Sequence, residues 1–314
     1  MDRSCVTRLV TLLPSDMRLD DSAIADRAVA VRSGTALAAL GVLAFSFTFP
    51  ATVWALKGFD PWTATGLRSV LAALVAGTCL RVFRVPLPRR DQWRGLAVVS
   101  LGCVLAFPIL TTLALKTSST AHSAVVIGLL PLATAVISSK LTGNRPSRRF
   151  WLAAAVGASA VVVFTVAQSG GGLSTADLFL FGALVLCAFG YAEGGRLARE
   201  MAGWHVIAWA LVMALPVTGA FAVFGLATEP LHITGEGIVG LLYVALISQF
   251  GGFFAWYRGM AEIGVARASQ LQLAQPLLTL VWAVLLLGEH LPAAAPVTAL
   301  IVVACIVVTQ RSRT

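Results

Sequence analysis

The sequence Pro131-Leu132-Ala133-Thr134-Ala135-Val136 recurs 145 positions later as Pro276-Leu277-Leu278-Thr279-Leu280-Val281. Over the thirteen positions that begin at each proline, six are identical, including Gly143 and Gly288, which close the two copies. Unrelated segments of this composition would share about one position in ten. The agreement therefore indicates that the chain arose by duplication of one unit.

The composition of the chain is that of a membrane protein. Of its 314 residues, 58% are hydrophobic and 12% charged, and the mean hydropathy is +0.87. Stretches of about 20 apolar residues, long enough to cross a hydrocarbon core roughly 30 Å thick, follow one another along the sequence. Because lipid offers no hydrogen-bond partner to the backbone, these stretches must be helical, and we predict an all-α bundle of ten membrane spans. The predicted spans are Ser33–Leu56, Trp62–Val82, Gln92–Leu115, Ser118–Lys140, Phe150–Gln168, Asp177–Leu197, Trp204–Leu226, Ile238–Trp256, Gly264–Leu287 and Pro292–Gln310.

The basic residues alternate from loop to loop. Twenty lie in the two terminal tails, in the even-numbered loops or at the span ends that border these loops. The odd-numbered loops contain only Lys57 and Lys116, and Arg68 alone lies deep inside a span. By the positive-inside rule, both termini are predicted to be cytoplasmic, in a bacterial inner membrane. The formal charge of +9 thus reflects membrane orientation, and no nucleic-acid partner is expected. Residues 1–32 lack the apolar core of a signal peptide and are predicted to form a cytoplasmic tail.

The two copies are predicted to be inverted repeats. Residues 33–168 and 177–310 each hold five predicted spans, and an odd number of spans brings the second copy into the membrane in the opposite orientation. The copies are then related by a pseudo-two-fold axis in the membrane plane, around a central cavity. This arrangement is the usual basis of alternating access, although a duplicated bundle is also simply a stable way to build a membrane protein.

A second matching stretch supports a family resemblance. Ala44-Phe45-Ser46-Phe47 aligns with Ala188-Phe189-Gly190-Tyr191 at an offset of 144, and Gly288 is followed by Glu289. With the two Pro-Leu helices and Arg68, these features resemble the drug/metabolite transporter (DMT) superfamily in its ten-helix EamA-type form, and most of all its YddG-type amino-acid exporters. The resemblance implies outward movement of amino acids or related metabolites through a central cavity. Because the first copy has Gly143-Asn144 instead, any role for the acid falls to Glu289.

A polar stripe marks the predicted ninth span. Ser269, Gln272, Gln275 and Thr279 share one helical face, and their counterparts in the first half are Ala124, Ile127, Leu130 and Thr134. The duplicated scaffold therefore does not require the glutamines. We interpret Gln272 and Gln275 as cavity residues that bind an amino or carboxyl group of the substrate. Interhelical hydrogen bonds, at about 1 kcal/mol each, are the alternative.

Three further positions are predicted to bind substrate within the bundle. Gln249 lies in the middle of the predicted eighth span, where a polar amide is costly unless it faces the interior. Phe49 shares a helical face with Phe45 and Thr48, a mixture that suits an amphiphilic substrate and equally suits ordinary packing. Tyr191 is predicted to bind substrate because it aligns with Phe47 when the first spans of the two halves are matched.

Other polar and aromatic positions have two interpretations. His122 and Ser123, near the external start of the fourth span, could line the cavity or make an interhelical bond. Arg68 could steer a carboxylate as part of a gate, or its side chain could extend to the membrane surface. For Trp256 and Tyr257, a position in the interfacial aromatic belt is favoured over one in the cavity.

Candidate gating and coupling residues lie near helix-weakening positions. Pro50 is predicted to bend the first span near its external end, and Gly194-Gly195 to bend the sixth near its cytoplasmic end. Glu193 is the acid found well inside a span and could carry a coupling proton or bind a substrate ammonium. It also lies three residues from Arg196, so a structural ion pair is the alternative.

The sequence disfavours other classes of function. An enzyme would need a nucleophile with its base, paired carboxylates or metal ligands, and no such motif appears; the five cysteines lack ligand spacing and are interpreted as packing residues, so neither a metal nor a cofactor is expected. A channel would need a filter motif or a ring of charge. We therefore predict a transporter of amino acids or related small metabolites that acts as a monomer in the lipid bilayer. A multidrug or other metabolite efflux carrier of the same fold is the alternative.

Overall fold

The computed structural model describes residues 21–141, 147–168, 170–263 and 271–311, and within them the secondary structure is helical. We number the helical segments α1 to α10 in chain order; four consist of consecutive pieces. Their bounds are Asp21–Ser46 with Thr48–Ala55 (α1), Pro61–Val82 (α2), Trp93–Val99, Ser100–Ala106 and Phe107–Leu115 (α3), Thr120–Ile127 with Leu130–Leu141 (α4), Arg148–Gln168 (α5), Thr175–Leu197 (α6), Gly203–Thr228 (α7), Gly235–Leu242, Tyr243–Gly251 and Gly252–Ile263 (α8), Ala274–Leu287 (α9) and Ala294–Arg311 (α10).

The prediction of an all-α membrane bundle is confirmed, and eight of the segments are individually long and apolar enough to cross a bilayer. In the described part of the chain, α9 and α10 are shorter apolar helices. The start of the predicted ninth span, residues 264–270, and with it Ser269, lies outside the described residues. The first helix of the described residues begins at Asp21, twelve residues before the predicted start of the first span.

The helices pack in pairs that join the two halves of the chain. Helix α1 packs along α8, α2 along α7, α3 along α6 and α5 along α10, while α4 contacts α6 and α9, and α9 contacts α1. If each helix of the first half is exchanged with its counterpart in the second half, α1 with α6, α2 with α7 and so on to α5 with α10, the same set of contacts results. The halves are therefore interleaved around a common centre rather than arranged as two separate bundles.

Small residues allow the paired helices to approach closely. A Cβ added to Gly66 of α2 would lie 2.3 Å from the backbone nitrogen of Ala222 in α7, and one added to Gly225 of α7 would lie 2.4 Å from that of Thr63. Large apolar side chains such as Leu74 and Val163 face outward and are more than half exposed. In lipid, where burial of apolar surface gives little driving force, such close backbone packing supplies much of the helix association.

Helix α1 is interrupted where Pro50 requires it. Proline has no N–H and clashes with the carbonyl four residues earlier, here that of Ser46, and the helix breaks at Phe47. The released carbonyl of Ser46 accepts a hydrogen bond of 2.8 Å from the Thr279 hydroxyl of α9. Trp282 Nε1 donates to the Ser46 hydroxyl at 3.0 Å, so α9 holds the break in place.

The bend predicted at Gly194-Gly195 does not interrupt the helix. Helix α6 runs unbroken through both glycines and ends at Leu197. Instead, Gly194 permits a close approach, because a Cβ there would lie 2.7 Å from the Tyr257 hydroxyl. Glycine weakens a helix without breaking it, and here the packing of neighbouring helices maintains the regular conformation.

Two π-helical segments interrupt α3 and α8 at corresponding positions. They span Ser100–Ala106 and Tyr243–Gly251, offset by 143 positions at the start and 145 at the end. A π turn is wider than an α turn and is often found where helices form a site. In α8 it directs the consecutive side chains of Ser248 and Gln249 into the bundle interior.

Ion pairs connect the described loops in two groups. Lys57 in loop 1 pairs with Glu236 in the first turn of α8, and Lys116 in loop 3 pairs with Asp60 in loop 1 at 2.8 Å. Arg89 in loop 2 contacts Glu200 in loop 6. Loops 1 and 3 therefore lie together with the start of α8, and loops 2 and 6 lie together.

Candidate functional site

A cavity lies at the centre of the bundle. It contains about 770 Å³ of space that no protein atom occupies, part of which is open to solvent. Helices α1, α2, α3, α4, α6, α8 and the α9 region line it. Of the predicted site residues, six lie in its wall: Phe49, Arg68, Tyr191, Gln249, Gln272 and Gln275.

Among the described residues, Arg68 is the charged residue of the cavity wall, and the residue as a whole is 4% exposed. Its Nε donates a hydrogen bond of 2.6 Å to Gln249 Oε1, and Gln249 Nε2 donates to the Ser69 hydroxyl at 3.0 Å. Within the described residues, no carboxylate lies at ion-pair distance from Arg68, and its two Nη groups have no hydrogen-bond partner. A buried charge normally has a counter-charge, so this guanidinium presents unused donors to the cavity.

This network places the Arg68 side chain inside the bundle. Extension of the side chain to the membrane surface, one of the interpretations of the sequence, does not fit a residue that is 4% exposed and bonded to Gln249. Gln249 itself is 2% exposed. The amide of Gln249 is oriented by two bonds of opposite sense, because its oxygen accepts from Arg68 while its nitrogen donates to Ser69.

Two glutamines of the polar stripe and their apolar counterparts in the first half line the same cavity. Gln272 and Gln275 from the second half and Ile127 and Leu130 from the first all line the cavity. The two copies of the repeated helix thus contribute matching wall positions with different chemistry. The cavity is consequently asymmetric, with amide donors and acceptors on one repeat and apolar side chains on the other.

Aromatic side chains complete the wall. Phe45 and Phe253 line the cavity in a T-shaped contact with ring centroids 4.9 Å apart, and Tyr191 meets Phe253 at 6.1 Å. Trp256 and Tyr257 are buried behind them, at 4% and 3% exposure. The preferred interpretation of these two residues as interfacial belt was wrong, because their rings pack against aromatic residues of the bundle instead of reaching the membrane surface.

His122 and Ser123 lie outside the cavity wall. The His122 Nε2 atom is 2.7 Å from Asp177 Oδ1, and the imidazole stacks on Phe164 with ring centroids 5.4 Å apart. Ser123 is fully buried, and its hydroxyl has no partner among the described residues. Of the two interpretations of His122, the interhelical bond is the one seen in the structure.

The remaining gating candidates also lie away from the cavity. Glu193 accepts two hydrogen bonds from Arg196, at 2.6 and 2.8 Å, so the ion-pair interpretation describes its position. Gly195 has open space around its Cα, and Pro50 is buried within α1. Their roles in gating stay predictions.

Sequence reasoning missed several residues of the site. Ser69 and Ser248 were not singled out, although Ser248 and Thr48 share a buried hydrogen bond of 2.7 Å between α8 and α1. Cys103 and Cys187, interpreted as packing residues, line the cavity. Thr48 and Ser248 are 200 positions apart and Ser69 and Gln249 are 180 apart, and a single sequence carries no spacing signal for such contacts.

The sequence profile of the EamA-like transporter family matches the chain twice, at residues 32–166 and at residues 174–310. The chain belongs to the EamA-like transporter family. It is 39% identical over 272 residues to the uncharacterized transporter YdeK of Bacillus subtilis (strain 168), covering 87% of this chain and 95% of that protein. It is therefore a multi-pass membrane protein of a transporter family.

Two further similarities are more distant. A probable terminal-alkyne amino-acid exporter of Streptantibioticus cattleyicolor is 27% identical over 263 residues, covering 81% of this chain and 85% of that protein. A protein of known crystal structure has the same fold, with a TM-score of 0.62 and 20% identity over 88% of this chain and 98% of that one. The fold and the family follow from these comparisons, and the substrate is left to the chemistry of the cavity.

The hydrogen bond that holds the break in α1 provides a test of the fold. Thr279→Val keeps the side-chain volume but leaves the Ser46 carbonyl without its donor, so we expect a loss of about 1 kcal/mol in unfolding free energy. Thermal unfolding in detergent would measure the loss. Thr228→Val is the matched control, because that exposed hydroxyl bonds only within its own helix.

A double-mutant cycle identifies the partner of Thr279. Pro50→Ala restores the N–H that can bond the Ser46 carbonyl within α1, so Thr279→Val should be nearly neutral in that background. An unchanged loss in the Pro50→Ala background would show that Thr279 stabilises the protein by another route.

Proposed function

We propose that this protein exports amino acids or related small carboxylate-bearing metabolites across the bacterial inner membrane. The observation that carries the proposal is the buried Arg68, whose Nη groups have no partner in the described structure and face the cavity. Guanidinium binds carboxylate in a planar, two-point geometry. Gln249 holds the Nε edge of the guanidinium, which leaves the Nη edge for the substrate.

The rest of the cavity suits the other end of such a substrate. Gln272 and Gln275 offer amide oxygens to an ammonium group, and Phe45, Phe49 and Phe253 offer apolar contact to a side chain. The similarity to a protein named as a probable amino-acid exporter supports this substrate class. A cavity of this kind favours a small amphiphilic solute over a polyanion, which would need several cationic groups.

Transport by alternating access is the proposed mechanism. We assign residues 33–168 and 177–310 to two inverted five-helix repeats, preceded by a cytoplasmic tail at 1–32, with ten spans in all. Support comes from the helix pairing, which is unchanged when the halves are exchanged, and from the two family matches in succession. In this mechanism the repeats exchange conformations and open the same cavity to one side and then the other.

The proposed orientation places both termini in the cytoplasm. The odd-numbered loops, of which loops 1 and 3 lie together, contain Lys57 and Lys116 as their basic residues, whereas the even-numbered loops are rich in arginine. The positive-inside rule then assigns the odd-numbered loops to the exterior. A monomer is sufficient for this mechanism, because the cavity is complete within one chain.

A transport assay with a substrate panel tests the proposal. Proteoliposomes loaded in turn with each standard amino acid should release at least one of them about ten-fold faster than protein-free vesicles. In the same vesicles, Gln272→Leu and Gln275→Leu should slow release of that amino acid without changing insertion. If no amino acid is released faster than the control, the proposed substrate class is wrong and the family assignment stands.

The runner-up is efflux of apolar drugs, which the aromatic wall of Phe45, Phe107 and Phe253 favours. Drug efflux by a largely apolar cavity would not need the guanidinium, and a cationic drug would be repelled by it. Arg68→Gln would then leave the efflux of a neutral drug unchanged and increase that of a cationic one. Export of a carboxylate requires the opposite response.

A further inference from the structure

Two carboxylates of the second half hold the outer end of α4, a helix of the first half. Glu289, in the loop after α9, accepts from the backbone N–H groups of Thr120 at 2.8 Å and Ala121 at 2.9 Å. Asp177, in the first turn of α6, contacts His122 at 2.7 Å. We call these five residues the outer clamp.

The outer clamp is separate from the cavity, since none of its residues lines the cavity wall. Asp177 is fully buried, and its second oxygen accepts from the Ser174 backbone N–H at 2.8 Å and hydroxyl at 2.7 Å. This carboxylate is therefore fixed in position by its own helix. The imidazole of His122, with 12% of its side chain exposed, is the partner whose charge can change.

Buried hydroxyl groups without partners are found in the clamp helix α4 and in α5, which packs beside it. In the described residues, the hydroxyls of Thr120, Ser123 and Thr165 are buried and make no hydrogen bond. Thr165 follows Phe164, whose ring stacks on the imidazole of His122. Buried polar groups without a protein partner are the usual positions of internal water, and such water would give protons a route to the imidazole.

We propose that the His122–Asp177 pair is a proton-binding site that fastens the outer end of α4 to α6 when the external solution is acidic. Histidine changes charge between about pH 5 and pH 8. When His122 takes up a proton, a neutral imidazole facing a buried carboxylate becomes an imidazolium in a charge-assisted pair, which is about twice as strong. Proton uptake therefore favours the arrangement in which the two residues are together.

The other charged groups near the clamp do not provide an alternative titration. Glu289 bonds the backbone of α4 and forms no described contact with the imidazole. His290, the next residue, is exposed and makes no hydrogen bond or ion pair within the described residues. Lys116, in the loop before α4, pairs with Asp60. In the described parts of α5, α9 and α10, the charged residues, Arg148, Arg149 and Arg311, lie at the opposite end of the bundle, and the packed part of α1, Thr48–Ala55, has none.

The proton-binding pair goes beyond the proposed function, because export of an amino acid as described above needs no proton. Only the placement of this pair on the external side of the membrane rests on the proposed orientation. The consequence is that acid outside the cell keeps the outer side of the transporter closed. Because the clamp consists of backbone amides and one ion pair, its opening is measurable without any substrate.

Amide hydrogen exchange of the full-length protein in lipid nanodiscs tests the proposal. After correction for intrinsic rates, the segment Thr120–Ser123 of the wild type should be about five-fold better protected at about pH 5.5 than at about pH 8. His122→Gln and Asp177→Asn should each lose this difference. Glu289→Gln should lower protection at both pH values and keep the difference.

The amides of Trp62 and Thr63 are the internal control. These two N–H groups, at the start of α2 in the first half, donate to the carboxylate of Glu229 in the second half, at 3.2 and 2.8 Å. Glu229 thus caps α2 as Glu289 caps α4, but no histidine takes part in this contact. The protection of these two amides should be independent of pH. A pH difference that persists in His122→Gln, or an equal difference at Trp62 and Thr63, overturns the proposal, whether or not the protein transports amino acids.

Discussion

Arg68→Gln is expected to reduce the rate of amino-acid release from proteoliposomes by about 10- to 100-fold. The substitution removes a guanidinium–carboxylate contact worth about 1.5 to 3 kcal/mol, and each 1.4 kcal/mol corresponds to a factor of about ten. The release rate of Arg68→Lys should fall between those of the wild type and Arg68→Gln, because lysine keeps the charge but lacks the planar pair of Nη donors. Initial release rates at equal protein incorporation measure the effect.

The same variant separates binding from folding. Because Arg68 is buried without a counter-charge in the described structure, its removal should leave the thermal stability unchanged or raise it. Arg81→Gln, in an exposed position at the end of α2, loses the same charge and should transport at the wild-type rate. Equal release rates for Arg68→Gln and the wild type would show that Arg68 does not bind the substrate.

Gly66→Leu is expected to destabilise the protein by about 2 kcal/mol or more and to lower its melting temperature by about 5 to 10 °C. The first added atom would lie 2.3 Å from the backbone of Ala222, and a backbone cannot move aside as a flexible side chain can. Helices α2 and α7 would therefore have to separate along their contact. Thermal unfolding in detergent, followed by tryptophan fluorescence, measures the change.

Gly219→Leu is the control for this substitution. Gly219 also lies in α7, but a Cβ at that position would meet no atom within 4 Å. The control variant should therefore unfold within about 1 °C of the wild type. Similar losses for the two variants would show that the loss comes from leucine in a membrane helix rather than from the close contact between α2 and α7.

Much of the architecture could be predicted because it is encoded locally. The apolar stretches determine helices, since lipid leaves the backbone no other conformation. The duplicated Pro-Leu segment predicted that Gln272 and Gln275 would occupy positions equivalent to Ile127 and Leu130, and all four line the cavity. Pro50 predicted a break in α1, and the chain breaks near it for the expected steric reason.

The predictions that failed depended on contacts between distant parts of the chain. His122 looks like a lining residue until Asp177, 55 positions away, is seen to be its partner. Trp256 and Tyr257 have the composition of an interfacial belt, and only the packing of α8 against α1 shows that they are buried.

The most direct test of the account compares an exported amino acid with the amine that lacks only its carboxylate, in proteoliposomes containing the wild type or Arg68→Gln. The account predicts that the wild type releases the amino acid at least about ten-fold faster than the amine and that Arg68→Gln releases the two at similar rates. Equal release of both solutes by the wild type, or an undiminished preference in Arg68→Gln, would contradict it.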